Sequence, residues 1–167
     1  RVMTTTYPIK APIYAITKAT NYLPNVLMQM EAKEAGFDNG VFIDADGHVG
    51  ESSNMNVAFV TRDGVLAHPK FDRVLAGCTS LRLLELAGVL RDQGLLGGIE
   101  VRDIPVAEAR ASREMLLLGS SVRVVPIVQW DEQVIGDGKP GPISRALRRL
   151  LDEDMRESDR LIDVPYA

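Results

Sequence analysis

The sequence predicts an α/β fold, and three observations lead to it. Two strand–turn–strand patterns stand at residues 41–49 and 56–67. The continuous apolar run Met115-Leu116-Leu117-Leu118 has the pattern of a strand buried on both faces. Three segments, at 22–36, 79–90 and 143–157, carry apolar residues at helical spacing. With 46% apolar residues in 167, the chain has enough apolar material to bury a core and a length that suits one domain.

Each element has a local reason. Tyr7 to Ile16 is expected to be extended, because Pro8 and Pro12 oppose a helix. Tyr22 to Gly36 reads as a helix in which Pro24 suits the first turn, Leu23, Val26, Leu27 and Met30 share the inner face, and Gly36 marks the stop. Val41-Phe42-Ile43, the tight turn Asp44-Ala45-Asp46-Gly47 and His48-Val49 make strand, turn and strand. Asn56 to Val60, Arg62-Asp63-Gly64 and Val65 to Ala67 repeat the pattern, which leaves Glu51 to Met55 on a connection between hairpins, where functional residues often sit. Thr79 to Leu90 is a helix with Leu83, Leu84, Ala87 and Leu90 inward. A strand at Ile99 to Ile104 and a short helix at Val106 to Arg110 follow. After the apolar run and Gly119-Ser120-Ser121, strands are expected at Val122 to Val128 and Gln133 to Ile135, then a loop from Gly136 to Pro142. Ile143 to Glu157 is an amphipathic helix with Ile143, Leu147, Leu150, Leu151 and Met155 inward. This divides the chain into a body, 1–157, and a peripheral tail, 158–167.

Composition narrows the function. A net charge of −4 gives no electrostatic reason to expect nucleic acid or an anionic membrane surface as partner. One cysteine rules out an internal disulfide framework and fits a reducing compartment. Two isolated histidines, His48 and His68, argue against zinc, and Asp44-Ala45-Asp46-Gly47 reads as a hairpin turn because it lacks the downstream glutamate of a calcium loop. No apolar run approaches membrane-spanning length, and no signal-like or transit-like segment stands at the start. The chain opens on Arg1, as a processed or partial sequence would.

Four places could carry chemistry. Lys18 lies in the polar stretch Thr17 to Asn25, where a lysine can take an aldehyde once it loses its charge. Tyr22, four residues on, can reach the same pocket. Glu51 is a loop carboxylate or the partner of a cationic ring nitrogen. Gly77-Cys78-Thr79 opens a helix, so free N–H groups there favour a phosphate, while Thr79 serves equally as a simple N-cap. Cys78 has no basic neighbour in sequence to activate it. Ser120 follows the buried strand and offers a second hydroxyl, or only a turn.

In order and spacing these motifs resemble one family. Lys18-Ala19-Thr20-Asn21-Tyr22-Leu23, Gly50-Glu51 to Asn56-Val57-Ala58-Phe59, Leu75-Ala76-Gly77-Cys78-Thr79, and Leu118-Gly119-Ser120-Ser121 to Val125-Pro126-Ile127 are similar to the fold-type IV pyridoxal-phosphate enzymes. That family includes branched-chain and D-amino-acid aminotransferases and 4-amino-4-deoxychorismate lyases. Val57 to Thr61, Leu75 to Thr79 and Ile127 to Lys139 are similar to its plant plastid members, described as D-amino-acid transaminases or branched-chain-aminotransferase-like proteins. The resemblance implies the mixed-sheet, barrel-like cofactor domain of the D-amino-acid aminotransferase-like fold, without the N-terminal domain that supplies a phosphate-binding arginine. It implies pyridoxal 5'-phosphate as cofactor, amino acids and 2-keto acids as substrates, a homodimer and a plastid location.

By the same resemblance, Lys18 is the Schiff-base lysine and proton shuttle, Tyr22 bonds the phenolic oxygen, and Glu51 binds the pyridinium nitrogen. Leu75 packs on the ring, Cys78, Thr79 and Ser120 hold the phosphate, and Ser53 and Asn54 face cofactor and substrate. Three positions depart from the family pattern: Ser52 for glycine, Cys78 for isoleucine and Ser120 for threonine. Ser52 is expected to alter its loop, since glycine takes dihedrals that serine avoids. The implied activity is transamination. Lyase release of pyruvate and p-aminobenzoate, and an inactive truncated family fragment, are the alternatives.

Overall fold

The computed structural model describes residues 1–165. The elements run β1 (Val2–Thr4), α1 (Pro12–Ala15), α2 (Leu23–Glu34), β2 (Asn39–Ile43), β3 (Val49–Ser52), β4 (Asn56–Val60), β5 (Val65–His68), α3 (Cys78–Asp92), β6 (Gly98–Val101), α4 (Val106–Arg110), β7 (Glu114–Gly119), β8 (Arg123–Ile127), β9 (Gln129–Trp130), β10 (Gln133–Val134) and α5 (Pro142–Glu157). They build two mixed five-stranded sheets, ordered β10-β9-β1-β2-β3 and β6-β5-β4-β7-β8. In the first, β1 is parallel to β2 and β9 while β3 and β10 run antiparallel to their neighbours. In the second, only the β5–β6 pair is parallel.

Period-two alternation explains how the second sheet joins two cores. Val57 and Phe59 of β4, and Met115 and Leu117 of β7, point into the cluster shared with Val2, Val41, Val49 and Trp130 of the first sheet. Ala58 and Val60, and Leu116 and Leu118, point the other way, onto Leu83, Ala87 and Leu90 of α3 and Ile143, Leu147 and Leu151 of α5. A strand buried on both faces must be continuously apolar, as 115–118 is. Glu114 begins β7 with a buried carboxylate, which accepts from the N–H groups of Ile143 at 2.9 Å and Ser144 at 2.8 Å and so caps α5. No helix among the described residues is long and apolar enough to cross a membrane.

Several expectations are corrected. Pro12 begins helix α1 instead of preventing it, because the first helical position has no N–H bond to lose. On α2 the inner face is Asn25, Met28 and Ala32, at helical spacing. Leu23, Val26 and Met30 are 65%, 46% and 52% exposed, and Leu27 is half-buried. Gly40 explains the choice: without a side chain, β2 lets Met28 pack where a Cβ would stand. Glu51 and Ser52 end strand β3 and do not lie on the connection. The strand expected to reach Ile104 stops at Val101, opposite His68, because β5 also ends there and Pro69 has no N–H to offer. Met155 is 50% exposed, not inward. Strands β1 and β9 are too short to carry a local pattern in the sequence. The residues from Asp159 to Pro165 are exposed, with Arg160 paired to Glu85 at 3.1 Å, while Tyr166 and Ala167 of the expected tail lie outside the described residues.

The turn at 44–47 is a hairpin turn held by its own carboxylate. Asp44 accepts from the N–H groups of Asp46 at 3.0 Å and His48 at 2.8 Å. Asp44, Asp46 and His48 bring ligand-type atoms within 4.8 Å of one another, and Arg73 pairs with both aspartates at 2.7 and 3.3 Å.

His68 is wholly buried, its ring 4.5 Å from that of Phe71. Its Nδ1 faces the Pro69 carbonyl at 2.6 Å, so Nδ1 carries the hydrogen and Nε2 is left without a partner. Burial lowers its pKa from 6.5 to about 4. The unfolded chain gains a proton from 6.5 downward that the folded chain refuses until about 4. Stability therefore falls across that window on acidification, by about 3 kcal/mol. His68→Leu should remove this part of the slope in urea titrations run from pH 8 to 4. Equal pH-dependence in the two proteins would contradict it.

Candidate active site

One cavity of about 280 Å³ lies where β3, β4, β7 and the N-terminus of α3 meet the segment leading into α2, and Lys18, Tyr22, Glu51, Ser53, Asn54, Leu75, Cys78, Thr79 and Ser120 all line it. Its volume stands at the small end of ligand pockets.

Local structure places each group. Lys18 lies between α1 and α2, exposed at the cavity, with its Nζ 5.5 Å from the Tyr22 ring centroid. Tyr22 is the N-cap residue of α2 and makes no side-chain capping bond. Glu51 ends β3 and is only 6% exposed, so the solvated-loop reading fails. Its Oε2 accepts from the Leu75 N–H at 3.3 Å, and its Oε1 lies 3.9 Å from the Lys10 ammonium. Burial pushes the Glu51 carboxyl above its ordinary range; Lys10, the Leu75 N–H and Lys18 pull it back.

The N-terminus of α3 is open to the cavity. Gly77, not Thr79, is the N-cap residue, and it has no side chain to satisfy the helix's first N–H groups. Thr79 and Ser120 bring hydroxyls to the same wall, and the Cys78 thiol lies 3.8 Å from the Ser120 hydroxyl. Asn56 sets the approach: its amide donates to the Leu75 carbonyl at 2.8 Å and accepts from the Ser80 hydroxyl at 3.0 Å. A Cβ on Gly77 would stand inside contact distance of the Asn56 amide oxygen, so only glycine fits.

Ser52 does not distort its segment. Its φ is not positive, and its buried hydroxyl donates within 2.7 Å of the Gly40 carbonyl and 2.8 Å of the Asn39 amide oxygen. The adjoining turn is held by Asn25, whose amide donates to the Ser53 carbonyl at 2.5 Å while its oxygen stays buried without a partner.

Lys10, Asn25 and Asn56 line the cavity and were not singled out from the sequence. For Lys10 the available sign was one charge in the apolar, proline-rich stretch 8–13. For Asn25 it was a polar residue at the spacing of Met28 and Ala32.

The model of the family described as amino-transferase class IV matches residues 8–130. The chain belongs to the class IV aminotransferases. Among curated relatives of this class IV chain, the chloroplastic D-amino-acid transaminase of Arabidopsis thaliana is 47% identical over 99% of this chain and 45% of its own length. The D-alanine aminotransferase of Bacillus licheniformis is 28% identical over 83% of this chain and 47% of its own. Among solved structures, the branched-chain aminotransferase of the archaeon Thermoproteus uzoniensis with norvaline matches with a TM-score of 0.84 and 26% identity, over 96% of this chain and 52% of that one. The Thermobaculum terrenum branched-chain enzyme in its PLP form matches at 0.84 and 27%, over 95% and 51%. The class IV chain described here spans about half the length of these relatives.

Proposed function

We propose that residues 1–157 form a pyridoxal 5'-phosphate-binding unit that serves transamination between an amino acid and a 2-keto acid. The observation that carries this reading is the convergence on one cavity of an amine, a buried carboxylate and an uncapped helix N-terminus flanked by two hydroxyls. An aldehyde, a basic ring nitrogen and a phosphate are the three handles such a set fits. The orphaned Asn25 oxygen adds an unmet acceptor at the same wall.

When bound, the cofactor supplies a carbonyl for an amine to attack and a protonated ring that draws electrons from the reacting carbon. The chain's own residues would do the rest. Lys18 offers the amine and, once free, the base that moves the α-proton of an amino acid. Tyr22 would offer its phenol to the ring oxygen, and Glu51 would hold a proton on the ring nitrogen. The N–H groups of Cys78 and Thr79, with the hydroxyls of Thr79 and Ser120, would hold the phosphate; a backbone contact would make the side chain at 78 unimportant. Leu75 would pack on the ring, and Ser53 and Asn54 would meet cofactor and substrate.

The kinship with a chloroplastic relative supports a plastid location. Exposed Ile13, Tyr14, Leu23, Val26 and Met30 give apolar surface on α1 and α2, beside the cavity, that suits a homodimer.

The test is to load the chain with pyridoxal phosphate and follow keto-acid formation from D- and L-amino acids with a 2-keto acid acceptor. Amino-group transfer supports the reading. Loading without transfer, or pyruvate and p-aminobenzoate release from aminodeoxychorismate in its place, overturns it. Gly77→Ala should displace Asn56 and spoil the phosphate end. Its dissociation constant for pyridoxal phosphate, read by fluorescence quenching, is expected to rise about tenfold to a hundredfold.

A further inference from the structure

Glu51 and Lys10 form a buried pair, and a contact between their chain neighbours sets it in place. Gly50 has no side chain, and the Ile9 methyl end occupies the place where its Cβ would stand. That seats residue 9 on residue 50 and so sets residue 10 beside residue 51. The two side chains are 9% and 7% exposed, and the ammonium lies 3.9 Å from the carboxylate. The same ammonium stands 5.7 Å from the Tyr22 ring centroid, while Lys18 stands 5.5 Å from it. Two lysines therefore serve one site, but only Lys10 is paired with the carboxylate and enclosed.

A carboxylate taken out of water favours its neutral form unless a positive charge stays close. The groups that bear on Glu51 are Lys10 from the segment before α1, Lys18 from the segment before α2, and the Leu75 N–H from the segment before α3, with Tyr22 beside both lysines on the same wall. Cys78 is the remaining titratable group on the cavity wall. Lys18 cannot serve as the standing counter-charge, because its nitrogen is the one assigned to the cofactor's carbonyl and loses its charge there. The Leu75 N–H is neutral. That leaves Lys10.

We propose that Lys10 is a positioning residue that keeps buried Glu51 charged, so that the cavity presents an anion to the cofactor's ring nitrogen. This rests on the reading that Glu51 meets that nitrogen. Lys10 forms no bond to cofactor or substrate; it acts through Glu51.

The first measurement uses the chain without cofactor. Carboxyl-carbon NMR of glutamate-labelled protein follows the Glu51 titration, assigned by the signal lost in Glu51→Gln. Lys10→Met, which keeps the length of the apolar stem and removes the ammonium, should move the Glu51 midpoint upward. Lys10→Arg, which keeps the charge, should leave it near the native value. An unmoved midpoint in Lys10→Met overturns the proposal whatever the enzyme does. The second measurement is pyridoxal phosphate affinity between the native and Lys10→Met midpoints. There Lys10→Met should bind about tenfold more weakly, and Lys10→Arg like the native chain. A shifted midpoint with unchanged affinity overturns the proposal by showing that Glu51 does not meet the ring. A native chain that binds no pyridoxal phosphate defeats the proposed function itself, while the titration still decides whether Lys10 holds the carboxylate charged.

Discussion

Lys18→Ala should abolish covalent cofactor binding and lower transamination by on the order of 10⁴-fold or more, since one amine provides both the attachment and the moving proton. The fold should not suffer. Lys18 is exposed and makes no hydrogen bond or ion pair among the described residues, so its removal is expected to change stability by less than about 0.5 kcal/mol. Lys18→Arg separates charge from chemistry, because a guanidinium keeps its proton and cannot attack a carbonyl. It should be as inactive as the alanine variant. Both are checked by the visible absorbance of the lysine-bound cofactor and by turnover at saturating substrate. An absorbance that survives in Lys18→Ala would sink the assignment.

Glu51→Gln is expected to have the next largest effect. Glutamine fits the space but cannot hold a proton on the ring nitrogen, so the electron-drawing power of the ring is lost. Turnover should fall on the order of 10²- to 10³-fold with the cofactor still attached to Lys18. A loss confined to the Michaelis constant, with kcat unchanged, would contradict it. The same carboxyl also leaves a mark on stability. Desolvation raises its pKa in the folded chain, so over a window just above 4.5 the fold still holds a proton that the unfolded chain has released, before it too ionises. The stability it lends is present at low pH and lost as pH rises through the folded value. His68 acts in the opposite sense, its contribution being lost as pH falls. Glu51→Gln should therefore flatten the rising-pH limb of the cofactor-free chain and leave the acid limb in place.

The parts of this fold legible in the sequence are those that local periodicity dictates. Residues 115–118 face two cores because a strand alternates its side chains, and a run apolar at every position permits nothing else. The helices α3 and α5 follow from their spacing. Periodicity misled at α2, where the most apolar face points outward and the buried face is Asn25, Met28 and Ala32. The deciding fact was Gly40 on a strand not yet paired with that helix. Strands β1 and β9 are short and exist through each other: Val2 pairs with both Asn39 and Trp130. No local pattern announces a partner so distant.

The site divides in the same way. Lys18 and Tyr22, and Gly77, Cys78 and Thr79, stand close together in sequence around helix starts, so residue type and spacing pointed to them. Lys10 had no such marker, because its place depends on Ile9 meeting Gly50 across the fold. Asn56 looks in sequence like nothing more than the start of a strand, and its work is to tie the segment before α3 in place.

The central claim is that one particular lysine of this chain carries the cofactor. Borohydride reduction of the pyridoxal phosphate-loaded chain fixes the cofactor to whichever amine holds it, and peptide mass mapping locates the added group. The account predicts a single labelled peptide containing Lys18, lost in Lys18→Ala and retained in Lys10→Met. Label on Lys10, or on any other lysine with Lys18 unmodified, would contradict it.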